Sequence, residues 1–296
     1  MNTLKYFLKD IRNDFVQSRY NQKRSESLSI WNVKALEMRF PVFSIAFENP
    51  FVTQWQIDSF QSHVSNAQLV ICDNSRDLAK RQGIREICEK AGVVYIALPA
   101  STITHPNRSH SLAMNWIYQN LVLTHNIQQF GFIDHDLIPV SSFNFSDVDL
   151  NKVGFYGSLY GGGLKTWQLW AGYCFFGKSC RNFNKLDFMY DFSLSLDTGG
   201  RNYKHVFRHY TADHLKFAPN LNVELKVGNS AFDIQLIDHA WLHIGGISYN
   251  QNFEKKADNM QRLKSQLDQG CSIESLRTGK QNPVLANVLL SKNVLV

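Results

Sequence analysis

The chain has 296 residues, 44% of them hydrophobic and 19% charged, enough to bury a full core in one large α/β domain with short additions. The net charge of +6 is weighted toward residues 1–40, which hold eight Lys/Arg against four Asp/Glu. A basic balance of this kind suits nucleic acid, an anionic membrane surface or a phosphorylated ligand, but no helix-turn-helix, zinc-finger or RNP-like pattern is present, which excludes nucleic acid as the expected partner.

No run approaches the ~18 apolar residues that a membrane span requires. The opening stretch MNTLKYFLKDIRNDF carries charge throughout, without a signal-peptide core, so a cytoplasmic location is expected. The five cysteines are scattered without a C-x-x-C pair, and they read as reduced core residues rather than a disulfide framework or a zinc knuckle.

Three segments follow from the chain order: a basic helical segment over 1–40, a catalytic-sized α/β unit over 41–250 and a polar, helix-prone tail over 251–296. In residues 1–25, Leu4, Phe7, Leu8, Ile11 and Phe15 recur at helical spacing with Lys and Arg between them. Docking of that apolar stripe onto the main domain is expected, with peripheral membrane contact as the alternative. From Pro41 the pattern alternates. VFSIAF (42–47), QLVICDNS (68–75), VVYIALP (93–99) and QFGFIDHD (129–136) read as strands, with helices over 51–65, 77–91 and 108–124. Short apolar runs separated by such helices predict a mostly parallel sheet with helices on both faces. Ligands sit at the carboxyl ends of the strands in such sheets, where Glu48-Asn49, Asp73-Asn74 and Asp134-His135-Asp136 all fall. Residues 152–178 read as two strands joined around Gly161, Gly162 and Gly163, rich in aromatic residues that suit a core or a sugar ring. LDTGGR (196–201) and AWLHIGGISYN (240–250) are the distinctive later pieces.

Asp134 and Asp136 are two residues apart, so on a strand they point the same way. Paired carboxylates at the edge of a core repel and cost desolvation. A divalent cation relieves both penalties, and hard oxygen ligands suit magnesium or manganese. A strand end that simply runs out into solvent also fits the motif. His135 points the opposite way and reads as a supporting or structural residue.

In the order of these pieces, residues 41–250 resemble GT-A glycosyltransferases of the nucleotide-sugar-dependent, family-2-like kind. The resemblance rests on Phe47-Glu48-Asn49, Asp73-Asn74-Ser75, PNRSHSLAMNW (106–116), the Asp134-x-Asp136 pair, the Trp/Gly-rich strand pair and the late His-x-Gly-Gly. It implies a Rossmann-like nucleotide-binding half with a smaller mixed acceptor-side sheet. Phe47 and Glu48 would line the base pocket, and Asp73 would accept hydrogen bonds from uracil or ribose. Asn107 and Arg108 would meet phosphate or sugar oxygens. Asp134 and Asp136, with His243 completing the shell, would hold Mn2+ or Mg2+ on the diphosphate of a UDP-sugar. Asp197 would be the base of an inverting reaction, although the usual Glu-Asp pair is Leu196-Asp197 here. Plain turn, helix-cap or core roles also fit Asp73, Asn107, His243 and Asp197. The implied activity is sugar transfer to a glycan or lipid-linked acceptor, as in surface polysaccharide synthesis. The rivals are a non-catalytic GT-A-like binding protein, a nucleotidyltransferase, which would want a Gly-rich loop where FENPF stands, and a metal-dependent phosphoesterase, which would want a second ligand cluster.

Overall fold

Continuous burial along Phe40–Ala46, from Pro41 onward, shows how the central sheet is made. Val42 and Ala46 pack with Ile57, Phe60, Ile84 and Cys88 on one face, while Phe43 and Ile45 pack with Leu112, Trp116 and Ile117 on the other. A strand that is apolar on both faces needs a helical layer on each side. The computed structural model describes residues 2–25, 40–163, 166–211, 215–246 and 250–283.

After an N-terminal helix, α1 (Asn2–Asn21), come β1 (Phe40–Ala46), α2 (Pro50–His63), β2 (Ala67–Asp73), α3 (Leu78–Ala91), β3 (Val94–Ala97), α4 (Pro106–Ile117) and β4 (Gln129–Asp134). α4 continues through a wider, π-helical turn over Tyr118–Leu123. β5 (Leu137–Pro139), β6 (Phe155–Gly163) and β7 (Thr166–Gly177) follow, then β8 (Asn220–Val227), β9 (Ser230–Ile237) and β10 (Trp241–His243). α5 (Asn250–Asp268) and β11 (Arg277–Pro283) close the described chain.

The main sheet has six strands in the order β3-β2-β1-β4-β7-β6. β3, β2, β1 and β4 are parallel, and β7 and β6 run antiparallel at one edge. The chain steps outward from β1 to β3 and then returns across β1 to β4. The reversal of direction makes the gap beyond the carboxyl ends of β1 and β4 a topological switch point, where open α/β sheets leave a crevice. The register brings Ile45 opposite Asp134 and Ala46 opposite Asp73, so the three strand ends finish at one level.

The second sheet is β11-β8-β9-β10-β5. β5 begins directly after the acid pair and is antiparallel to β10, with Leu137 opposite His243. A backbone bond from Ile244 N to Asp136 O, 3.0 Å, ties the two segments together. α5 covers this sheet through Met260 and Leu263.

Two expectations change here. The stretch after residue 250 is helical over Asn250–Asp268 but then adds an edge strand, Arg277–Pro283, paired with β8; residues 284–296 lie outside those described. α1 docks, but by its other face: Asn13 and Tyr20 are buried, whereas Leu4, Phe7, Leu8, Ile11 and Phe15 are all exposed. Residues 26–39 of the N-terminal segment also lie outside those described.

Candidate metal and nucleotide site

A cavity of about 580 Å³ opens at the switch point, lined by Phe47, Glu48, Asn74, Arg76, Asn107, Ser109, His110, Asp134, Asp136, Trp170 and His243 among others. That volume suits a ligand of nucleotide-sugar size.

At its floor, one ligand atom each of Asp134, Asp136 and His243 lies within 4.8 Å of the others. Asp134 ends β4, Asp136 stands in the turn to β5, and His243 ends β10. Two sheets therefore have to meet for the group to form. His243 Nδ1 is 2.6 Å from Gln235 Oε1. That contact makes Nδ1–H the donor and turns the lone pair of Nε2 toward Asp136 Oδ1, 3.6 Å away. The His243 ring also lies against Trp170, with centroids 4.6 Å apart.

Burial and the charge of Asp136 push the Asp134 carboxyl up to about 6, with Asp197 adding to the rise and His243 and His135 opposing it. Two acids in one low-dielectric place resist joint ionisation, and a cation removes that resistance. Room for the Asp134 carboxylate comes from Gly172 on β7. A Cβ there would stand 2.4 Å from Asp134 Oδ2 and 2.3 Å from Trp170 Cζ2. Two carboxylates, one imidazole oriented by a further hydrogen bond, and a glycine that leaves space for them make a donor set that fits a divalent cation.

The turn carrying the acids is clamped from behind. Gln56 of α2 is fully buried, donates from Nε2 to Asp134 O (2.7 Å) and Leu137 O (2.9 Å), and accepts from Ser44 Oγ (2.7 Å). His135 is buried with Nδ1 3.0 Å from Ile45 O, and its Nε2 has no hydrogen-bond partner among the described residues.

His110 of α4 places Nε2 3.7 Å from Asp134 Oδ1. Burial, aided by His135, pushes it down to about 4, so it stays neutral at physiological pH. Neither Gln56 nor His110 stands out in the sequence. The one signal at Gln56 is a polar residue among the buried positions of a helix, and His110 is one of ten histidines.

At the other end of the cavity, Phe47 faces the Arg76 guanidinium at 5.9 Å. Glu48 adopts a left-handed backbone, φ 50°, a conformation that costs a non-glycine residue ~1–2 kcal/mol. It is held there by Glu48 N donating to Ser75 Oγ (2.8 Å) and by Arg76 N donating to Glu48 Oε1 (3.2 Å).

Asp73, expected to meet the nucleoside, is turned inward and fully buried. Its Oδ1 accepts from Ser75 N (2.8 Å) and its Oδ2 from Tyr95 Oη (2.9 Å), so Asn74 and Arg76 line the cavity at this strand end instead. Asn107 lines the cavity and donates to Asp197 Oδ1. Arg108 points away, both Nε and Nη2 donating to Tyr190 Oη at 3.2 and 3.0 Å. Asp197 sits one hydrogen bond behind the cavity wall, and both of its described bonds, from Asn107 and from Thr198 N (2.8 Å), fall on Oδ1. Its charge acts on both His110 and Asp134.

Strand order, switch point and an acid pair at the end of β4 agree with the layout read from the sequence. The fold is α/β, with a mostly parallel central sheet between helical layers and a second, antiparallel sheet.

No family model matches the chain, and no curated protein matches it. Among solved structures, it is similar to the apo form of WbbM, a bifunctional glycosyltransferase, with 15% identity and a TM-score of 0.39 over 58% of this chain and 38% of that one. It is also similar to PcManGT, a mannosyltransferase from Pyrobaculum calidifontis in complex with GDP-Man and Mn2+, with 13% identity and a TM-score of 0.33 over 60% of this chain and 54% of that one. The chain thus spans well under two thirds of the length of either, and neither likeness assigns a residue role here.

Proposed function

We propose that this chain is a metal-dependent glycosyltransferase that moves a sugar from a nucleoside diphosphate donor to a glycan or lipid-linked acceptor. The observation that carries the reading is the Asp134, Asp136 and His243 group on the floor of a cavity of about 580 Å³ at the switch point of a mostly parallel sheet. With two carboxylates and one imidazole, the donor set suits Mn2+, and Mg2+ to a lesser degree because imidazole is softer than magnesium prefers. When bound, the cation supplies Lewis-acid stabilisation of the charge that grows on the leaving diphosphate.

The chain's own residues would do the rest. Phe47 and Arg76 form the wall against which a base stacks, with Glu48 and Asn74 at its polar edge; UDP is the nucleotide we assign to them. Asn107 fixes Asp197 through Oδ1, and from behind that wall Oδ2 would take the acceptor hydroxyl's proton in an inverting transfer through one intervening water. Trp170, packed on His243, offers an apolar face to the sugar.

A nucleotidyltransferase reading is weaker for a local reason. Asn49 Oδ1 already caps α2 by accepting from Val52 N (3.1 Å), and Pro50 contributes no N–H, so two of the first three positions of the helix after β1 offer no amide to a phosphate.

A panel of nucleotide sugars with Mn2+ or with chelator tests the proposal, read as slow donor hydrolysis or transfer. Release of nucleotide that needs the metal and is lost in Asp136→Asn is expected. Metal-dependent binding without turnover of any donor would favour a non-catalytic sugar-binding role.

A further inference from the structure

Eight large hydrophobic side chains are exposed among the described residues, and five of them form one stripe on α1: Leu4, Phe7, Leu8, Ile11 and Phe15, each at least 50% exposed. A sixth, Phe192, adjoins the helix, since Lys9 Nζ lies 5.7 Å from its ring centroid. Scattered exposed hydrophobics need no explanation, but a concentrated patch does.

The stripe does not result from a loosely attached helix. The opposite face holds α1 firmly: Tyr20 Oη donates to Pro99 O (2.8 Å), Tyr190 Oη donates to Asn13 Oδ1 (3.2 Å), and Trp116 Nε1 donates to the carbonyl of Lys23 (2.9 Å) just beyond the helix. Arg201 is ion-paired with Asp10 (3.2 Å), Asp14 and Asp187 (3.2 Å). The helix is fixed with its apolar side outward.

Charge specifies what covers it. Lys5, Arg12 and Arg19 are all exposed and recur every seven residues, so they form a single row beside the stripe. The Arg19 guanidinium rests 5.2 Å from the Phe15 ring centroid, its stem along the apolar surface and its charge at the edge. The two acids of the helix, Asp10 and Asp14, lie on the other flank, away from this row, and both are ion-paired with Arg201. An apolar stripe bordered by a row of cations complements a surface that is greasy within and anionic at its rim.

We propose that α1 lies in the plane of an anionic lipid surface, with Leu4, Phe7, Leu8, Ile11 and Phe15 at the headgroup–acyl boundary and Lys5, Arg12 and Arg19 against lipid phosphates. The helix sits beside the cavity: Asn13 contacts Tyr190, Tyr190 holds Arg108, and Arg108 neighbours the cavity residue Asn107. A bilayer on this face therefore brings lipid-borne molecules to the side of the site where Asp197 stands. Surface binding itself does not depend on the sugar-transfer reading.

The test is co-sedimentation of the full chain with phosphatidylcholine vesicles, with and without about one third phosphatidylglycerol. Binding to the anionic vesicles alone is expected. Phe7→Ser/Ile11→Ser, both at exposed positions and so neutral to folding, should lower the partition at least about tenfold. Charge reversal at Lys5, Arg12 and Arg19 should lower it about fivefold or more per residue. Failure of the wild type to bind, or equal binding by both variants, would overturn the proposal. So would a lipid-free dimer in analytical ultracentrifugation that Phe7→Ser/Ile11→Ser converts to monomer, since that assigns the stripe to a second copy.

Discussion

Replacing Gln56 with methionine keeps the length and volume of the side chain but removes its three polar contacts behind the acid pair. Asp134 O and Leu137 O lose their donors at 2.7 and 2.9 Å, and Ser44 Oγ loses its acceptor. A buried polar group left without a partner costs about 1–3 kcal/mol. The Leu137 carbonyl bears the full penalty, Asp134 O recovers part of it from water near the cavity, and Ser44 can rotate toward another acceptor. Gln56→Met should therefore cost about 2–5 kcal/mol, or roughly 5–15 °C in midpoint for a chain of this size. It should also weaken cation affinity about tenfold, because the backbone that aims both carboxylates is no longer held. Urea denaturation and calorimetric titration with Mn2+ measure the two effects. A stability change below about 0.5 kcal/mol together with unchanged Mn2+ affinity would refute the clamp.

Gly172→Ala places a methyl on the Asp134 carboxylate and the Trp170 ring, and should reduce Mn2+ affinity at least about tenfold while circular dichroism stays native. The Asp134 carboxyl, raised to about 6 by burial and by Asp136, gives the cation site a pH dependence: affinity should be level above pH 7 and fall about tenfold per unit below 6. For the metal-free chain the sign is opposite. The folded form binds the proton more tightly than an unfolded carboxyl, so the contribution of this group to stability rises as pH falls through 6 toward 4, and Asp134→Asn should abolish that slope in urea midpoints.

Much of the architecture was legible because it is local. Apolar runs of strand length ending in Glu48, Asp73 and Asp134, separated by helical stretches, dictate a parallel sheet and place the strand ends on one edge. His243 could be singled out because an imidazole beside two glycines is unusual on an apolar strand, and β5–β10 pairing carries it to Asp136. The rest depends on distant partners. Asp73 turned inward because Tyr95, 22 residues later, takes one carboxylate oxygen. Its neighbour Ser75 takes the other, which is the turn geometry those residue types also favour. Arg108 was drawn off the site by Tyr190, 82 residues away. Amphipathic spacing predicted α1 but not which side the body would use, since Asn13, Tyr20 and the Arg201 cluster outcompete the apolar stripe for contact. Gln56 and His110 act through groups that only the folded sheet brings near them.

Calorimetric titration of Mn2+ into the chain with UDP present tests the central claim most directly. The account predicts one cation per chain at a site that tightens with UDP, lost in Asp136→Asn and weakened at least about tenfold in His243→Ala. Equal stoichiometry and affinity in the wild type and both variants would contradict it, as would a wild type that binds no cation.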